Sequence, residues 1–230
     1  MLHELISHPL FGILLTVAAY ELAVLLYRKT GWVALNPLLT SIVLVCAVIL
    51  IFRIDYADYN VGGEIITMFI SPVTILLAVP LYMQLHVLKE NGPAILTGIF
   101  LGCLTALFTM LGFAKLFGMD QALFASLLPK SITTAIAVEI CESMGGIPAV
   151  TVIAVLVAGL TGAILAPVLA RVFRIRDEVA LGLAIGTSSH ALGTSKALEL
   201  GKTQGARSSL SIGIAGIITV LLAPLIAKLF

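Results

Sequence analysis

Charge is what this chain has least of. Only 11% of its 230 residues are Asp, Glu, Lys or Arg, and the formal net charge is +1; a soluble domain carries about a quarter charged residues. No basic patch exists to neutralise a row of phosphates, so no nucleic-acid partner is expected. Cysteine is also sparse. Cys46, Cys103 and Cys141 are odd in number, far apart and set in apolar runs, which excludes a disulfide framework or a thiolate metal set and leaves them as small hydrophobes. An HExxH run is absent, as is a Gly-rich loop ending in Lys-Ser/Thr; neither a metal nor a cofactor is expected. A basic leader is missing before the first apolar run, which itself contains Glu21, so that run is not read as a cleaved signal peptide.

Hydrocarbon fills the space that charge leaves. Hydrophobic residues make up 60% of the chain, with a mean hydropathy of +1.15. The fold class expected is an all-α polytopic membrane protein, one transmembrane domain over residues 1–230. A crossing helix needs about 20 apolar residues. On that length, span one runs from Pro9 to Tyr27 and stops at Arg28-Lys29, and span two runs from Asn36-Pro37 to Phe52, with Asn36 as N-cap. Span three covers Gly62 to Met83 with a break at Ser71-Pro72, and span four covers Pro93 to Phe117. Spans six, seven and eight cover Pro148 to Phe173, Glu178 to Leu200 and Ala206 to Phe230. Seven or eight hydrophobic spans result.

Residues 119–146 decide the number. Pro129-Lys130 splits this segment into a short and a longer arm, which either cross the membrane or enter and return. Lys and Arg concentrate in cytoplasmic loops. With Arg28-Lys29 inside, a crossing would put Arg171, Arg174 and Arg176 outside, whereas a re-entrant hairpin puts them inside. The charges favour the hairpin, with the N-terminus outside and the C-terminus inside. A weak repeat is compatible with this. A slide of 115 residues pairs Ile70 with Ile185, Gly98 with Gly213 and Leu107 with Leu222, and sets the Ser71-Pro72 break opposite Gly186-Thr187. The halves would be about 1–117 and 118–230, of opposite orientation, each with an interrupted helix, an arrangement that recurs in secondary transporters.

Polar residues gather in three places. The stretch "GTSSHALGTSK" at 186–196 holds Thr187, Ser188, Ser189, His190, Thr194, Ser195 and Lys196 among glycines. Unwound backbone survives in hydrocarbon only when it is covered by protein or lines a wet cavity; the plainer reading is that small residues allow close helix packing and that hydroxyls bond back to their own helix. The stretch "SLLPKSITTAIAVEI" at 126–140 places Lys130 and Ser131 before a helix that opens at Thr133-Thr134. Free N–H groups at a helix start, joined by an ammonium and hydroxyls, suit a carboxylate, and an intramembrane charge is a functional candidate by default. The alternative there is that Lys130 snorkels to an interface. In "SPVTILLAVP" at 71–80, Ser71 and Thr74 flank a proline break that is either functional or an ordinary kink. Asn36 is counted with these candidates. Glu139, about two turns after Ser131, and His190 are the candidates for a proton-coupled step, since an imidazole titrates near pH 6.5. Glu21 is a candidate for a subunit contact. An enzyme is not expected: Lys130 and Ser131 are adjacent, so on a helix they point about 100° apart.

The runs "NPLL" at 36–39, "SPVTILLAVPLY" at 71–82, "LLPKSITTAIAVEI" at 127–140, "GGIPAVT" at 145–151, "RIRDEVALGLAIGTSSHALGTSKALELG" at 174–201 and "GARSSLSIGIAG" at 205–216 occur in this order. Together they resemble the LrgB/CidB family of bacterial membrane proteins, related to the plastid glycolate/glycerate translocator, over nearly the whole chain. Two positions depart from the family pattern: Ser71-Pro72-Val73-Thr74 stands where it has Gly-Pro-Ala-Thr, and Thr133-Thr134-Ala135 where it has Thr-Thr-Pro. The resemblance implies a multi-pass protein of the bacterial cytoplasmic (inner) membrane. It further implies transport of small monocarboxylates such as glycolate, glycerate or pyruvate or, alternatively, antiholin-like control of murein hydrolase export and autolysis with a small LrgA/CidA-like membrane partner. A homo-oligomer in the lipid bilayer is expected in either case.

Overall fold

In the computed structural model, residues 6–32, 35–69 and 85–230 are described, with Pro72, Ile75, Leu76, Val79 and Tyr82 between the last two stretches and the backbone alone for 85–91. Every regular element among them is helical: α1 (Pro9–Thr30), α2 (Pro37–Ile51), α3 (Tyr56–Thr67), α4 (Leu85–Phe117), α5 (Gln121–Leu127), α6 (Thr134–Ser143), α7 (Pro148–Val172), α8 (Glu178–Leu200) and α9 (Lys202–Ala227). Pro9, Pro37 and Pro148 open their helices, where a missing N–H costs nothing. Asn36 caps α2, accepting from the Leu38 N–H at 2.9 Å. Helices long and apolar enough to span a bilayer are α1, α4 from Gly92 onward, α7 and α9; α2 is apolar but shorter. The chain is an all-α polytopic membrane protein.

The chain divides into two compact units, Met1–Val73 and Thr74–Phe230. In the first, α1 packs on α2 and α3. Gly12 and Gly62 let α1 and α3 approach so closely that a Cβ on Gly62 would lie 2.8 Å from the Gly12 Cα, and Thr16 and Tyr59 share a hydrogen bond of 2.9 Å.

The second unit contains two helical hairpins that do not cross. In the first, residues 119–146 fold back on themselves, the arrangement the charges favour. Ser126, late in α5, lies beside Cys141, late in α6, with Sγ 3.9 Å from Oγ; in one continuous helix these residues would be about 22 Å apart. The chain therefore turns back near Pro129–Thr133. Phe124, Leu128, Ile132, Ala137 and Ile140 bury themselves among Leu107, Met110 and Ala114 of α4 and Ala223 and Ile226 of α9.

The second hairpin corrects the sequence reading of span seven. α8 is not a crossing helix, and its break lies at His190 rather than at Gly186-Thr187. Gly182 packs on Gln204 while Leu198 packs on Gly205. Residues 204 and 205 are neighbours, whereas 182 and 198 would be about 24 Å apart on a straight helix. Ser208 likewise reaches both Gly186 and, through Oγ at 2.6 Å, Thr194. The reversal occurs at His190, with φ 42° and ψ −137°.

Three helices of this unit are long and apolar enough to cross a bilayer. α4 and α9 run parallel: Ile95, Ile99 and Cys103 pack on Leu210, Ile214 and Ala215, and further on Leu107 to Ala114 pack with Ala223 and Ile226. α7 runs against them, starting beside Ser126 and ending near the base of the second hairpin. Residue 230 consequently emerges with Gly118 and Gly146, opposite Arg171, Arg174 and Arg176. The expected C-terminus on the arginine face is overturned because α8 turns back.

The 115-residue register pairs α4 with α9, two parallel helices. An inversion is visible at 60 residues: α4 and its hairpin are followed by α7, running the other way, and its hairpin. At that shift Thr134 pairs with Thr194, Ala137 with Ala197 and Glu139 with Glu199, and Lys130 stands opposite His190.

Candidate functional site

The two hairpin tips meet along α7. α7 buries Thr151, Val155, Gly159 and Ala163, residues four apart that form one stripe of its surface. The first hairpin is braced at the start of this stripe. Ser126 Oγ accepts from the Ile147 N–H at 2.7 Å and donates to the Ala122 carbonyl at 2.6 Å, and Thr151 Oγ1 donates to the Ser126 carbonyl at 2.9 Å. All three bonds lie in apolar surroundings, where an unpaired donor costs about 1–3 kcal/mol. Ser126→Ala is expected to lower the thermal midpoint in detergent by several degrees. Ser195→Ala, which alters an exposed hydroxyl bonded to its own helix, should leave the midpoint unchanged.

The second hairpin docks further along the same stripe. Gly159 opens a slot for the His190 imidazole; a Cβ there would lie 2.6 Å from Cε1 and 2.9 Å from Nε2. Gly162 receives Ser189 just as closely. His190 Nε2 is 3.0 Å from the Val155 carbonyl. A carbonyl only accepts, so Nε2 carries the proton in this arrangement.

Two clefts flank this second tip. One, of about 710 Å³, runs between α4 and the first arm of α8, floored by Gly98, Gly102 and Ala106 and reached by Ser131, Thr187 and Ser188, with Asp177 at one end. The other, of about 620 Å³, runs along α7 and is lined by Lys130, Thr161, Gly162, Ser188 and Ser189 among Val150, Ile153, Val157 and Leu165. Ser188 belongs to both. Lys130 and Ser131, consecutive in sequence, thus face different clefts.

Most of the candidate hydroxyls are engaged locally. Thr187 donates to the Leu183 carbonyl at 2.7 Å, Ser188 to Ala184 at 2.8 Å and Thr194 to His190 at 2.9 Å. Lys196 pairs with Glu199 at 2.7 Å. Three donors on the first tip have no hydrogen-bond partner among the described residues: the Lys130 ammonium, the Ser131 hydroxyl, and Thr133 Oγ1, which is buried and makes no cap bond; Arg207 Nε, on α9, is likewise buried and unpaired. The first intrahelical bond of α6 goes from the Ala137 N–H to the Thr133 carbonyl, so the N–H groups of Thr134, Ala135 and Ile136 have no partner within the helix.

Of the candidates from sequence, Lys130, Ser131, Thr187, Ser188 and Ser189 line the clefts. Thr133 and His190 lie behind the tips, Thr194 is buried against Ser208, and Thr134, Ser195 and Glu139 are exposed. Asn36 is in the other compact unit, and Ser71 and Thr74 fall outside the described residues. Sequence reasoning missed Ser126, Thr151, Thr161 and the Gly159–Gly162 face. The one signal for them is small residues spaced by three and four in a helix otherwise Val- and Leu-rich, and it is not specific.

The LrgB-like family matches this chain over residues 16–229. Among individual proteins, an uncharacterized protein YxaC of Bacillus subtilis is 41% identical over 218 residues, 95% of either chain. Proteins named antiholin-like protein LrgB, from Bacillus cereus and Bacillus anthracis, are 36% identical over 218 residues, 94% of this chain and 95% of theirs. No solved structure matches.

Proposed function

This chain belongs to the LrgB-like family, and from that premise we propose that it is a carrier of small monocarboxylates, in the class of glycolate, glycerate and pyruvate, in the bacterial inner membrane. One observation supports this reading above the others: the first hairpin tip, set among helices long and apolar enough to span a bilayer, gathers an ammonium, a hydroxyl and the open N–H groups of α6 with no acceptor for them among the described residues. Unsatisfied donors in hydrocarbon are costly, and an anion is the ligand that suits an ammonium and open helix N–H groups. In this reading Lys130 and the start of α6 hold the carboxylate, and Ser188 and Ser189, which line the same cleft as Lys130, hold the hydroxyl or keto oxygen. Glu139, exposed on α6, and His190, with its Nε2 bonded to the Val155 carbonyl, are both kept as candidates for a proton-coupled step. No covalent chemistry is assigned to the chain.

The test is uptake of labelled glycolate, glycerate and pyruvate by the purified protein in vesicles. Saturable uptake is expected, and Lys130→Met should reduce it on the order of tenfold or more, since a hydrogen bond to a charged group contributes about 1.5–3 kcal/mol. Equal leak of unrelated solutes through both forms would end the carrier reading.

The names of the antiholin-like LrgB relatives favour a second reading, an antiholin-like membrane protein; in that reading it acts with the small LrgA/CidA-like partner that the resemblance implies. It predicts that neither form takes up a carboxylate alone, and that an effect on autolysis appears only when the partner is present. Homo-oligomers are compatible with either reading.

A further inference from the structure

His190 lines neither cleft, yet it stands where the second hairpin reverses. Its φ of 42° lies in the left-handed region, which costs a non-glycine residue roughly 1–3 kcal/mol. A bare turn would be made more readily by glycine, and the chain has glycines nearby at 186 and 193. A histidine in this position needs a compensating contact, and the structure has one. The imidazole is 4% exposed, fills the slot opened by Gly159 and donates from Nε2 to the Val155 carbonyl at 3.0 Å. Through that bond the tip is held on α7, Ser189 is pressed against Gly162, and Ser188 forms the partition between the two clefts.

We infer that His190 is a positioning residue: its hydrogen bond to Val155 latches the second hairpin tip to α7, keeps Ser188 and Ser189 beside Lys130, and holds the two clefts apart. The latch rests on geometry alone; its effect on uptake rests on the carrier reading. Releasing it joins the clefts across Ser188.

A latch, a plain turn residue and a proton carrier make different demands on substitutions at His190. Gln places an amide N–H close to where Nε2 stands but does not titrate; Gly relieves the backbone strain but has no donor. Amide hydrogen exchange over residues 186–193 of the full-length protein, corrected for intrinsic exchange, reads the latch directly. His190→Gln is expected to keep protection within about threefold of the parent, and His190→Gly to lose on the order of tenfold, because the lost bond and the lost packing of the buried imidazole together outweigh the relieved strain. Gly159→Ala, which fills the imidazole slot and leaves His190 in place, should lose protection as His190→Gly does. Retained protection in both His190→Gly and Gly159→Ala overturns the inference. If the protein takes up carboxylate, His190→Gln should retain uptake with the parent's pH profile. Loss of uptake in His190→Gln with protection intact would instead mark His190 as a proton carrier and likewise overturn the inference. Absence of uptake in the parent, with protection lost in the two release variants, would end the carrier reading and leave the latch standing.

Discussion

Gly186→Ala is expected to cost the second unit about 1–3 kcal/mol, the range for forcing a methyl into filled space, whereas Gly98→Ala should leave it unchanged or stabilise it. The chemical change is the same and the surroundings differ. A Cβ at Gly186 would collide with the Ser208 carbonyl and lie 2.8 Å from the Ser208 Cα and from the Ser211 Cβ. Two of these three atoms are backbone, so α8 and α9 would have to separate. A Cβ at Gly98 meets nothing within 4 Å, and alanine favours a helix interior over glycine by roughly 1 kcal/mol. Thermal unfolding in detergent measures both. A midpoint for Gly186→Ala equal to that of the parent would mean that the first arm of α8 does not lie on α9.

The second large effect is all-or-none. In a background lacking Cys46, Cys103 and Cys141, cysteines at Gly118, Gly146 and Phe230 should react with an impermeant thiol reagent from one face of the membrane. A cysteine at Lys202 should react only from the other. The expectation follows from two hairpins and three crossings. If residues 119–146 crossed, Gly118 and Gly146 would separate; if α8 crossed, Lys202 would join Gly146 and Phe230 would leave it. Either pattern would remove one of the two hairpins. Lys and Arg concentrate on the cytoplasmic side, so the face with Lys202 and Arg171, Arg174 and Arg176 should be cytoplasmic.

Helices were legible in the sequence where length and apolarity decide the outcome. α1, α2 and α7 begin at the prolines expected of them, and Asn36 caps α2 as its side chain suggests. The first hairpin was legible as well, because Pro129 splits the segment and the arginine cluster 171–176 fixes the parity of what precedes it. The second was not. No proline marks His190, the glycines at 186 and 193 point to either side of the true reversal, and 23 residues are enough to cross a bilayer. What turns α8 back is tertiary: Ser208, Gly159 and the Val155 carbonyl lie on α9 and α7, and no local pattern in 178–200 encodes them. For the same reason the site was legible only in part. Lys130 and Ser131 declare themselves by type, whereas Thr194 is no different from Ser188 as a small hydroxyl in sequence and is set apart only by its burial against Ser208. Chain order alone also hides that Lys130 and Ser131 look into separate clefts.

The first hairpin precedes most of its neighbours in the chain. Phe124 packs on Phe230 with ring centroids 4.5 Å apart, and Ala223 and Ile226 cover the same cluster. During synthesis, residues 119–146 leave the ribosome some 80 residues before that cover exists, with an ammonium at their apex. They cannot settle at depth until α9 has been made and inserted, so the nascent chain has to keep this segment at the aqueous boundary in the meantime.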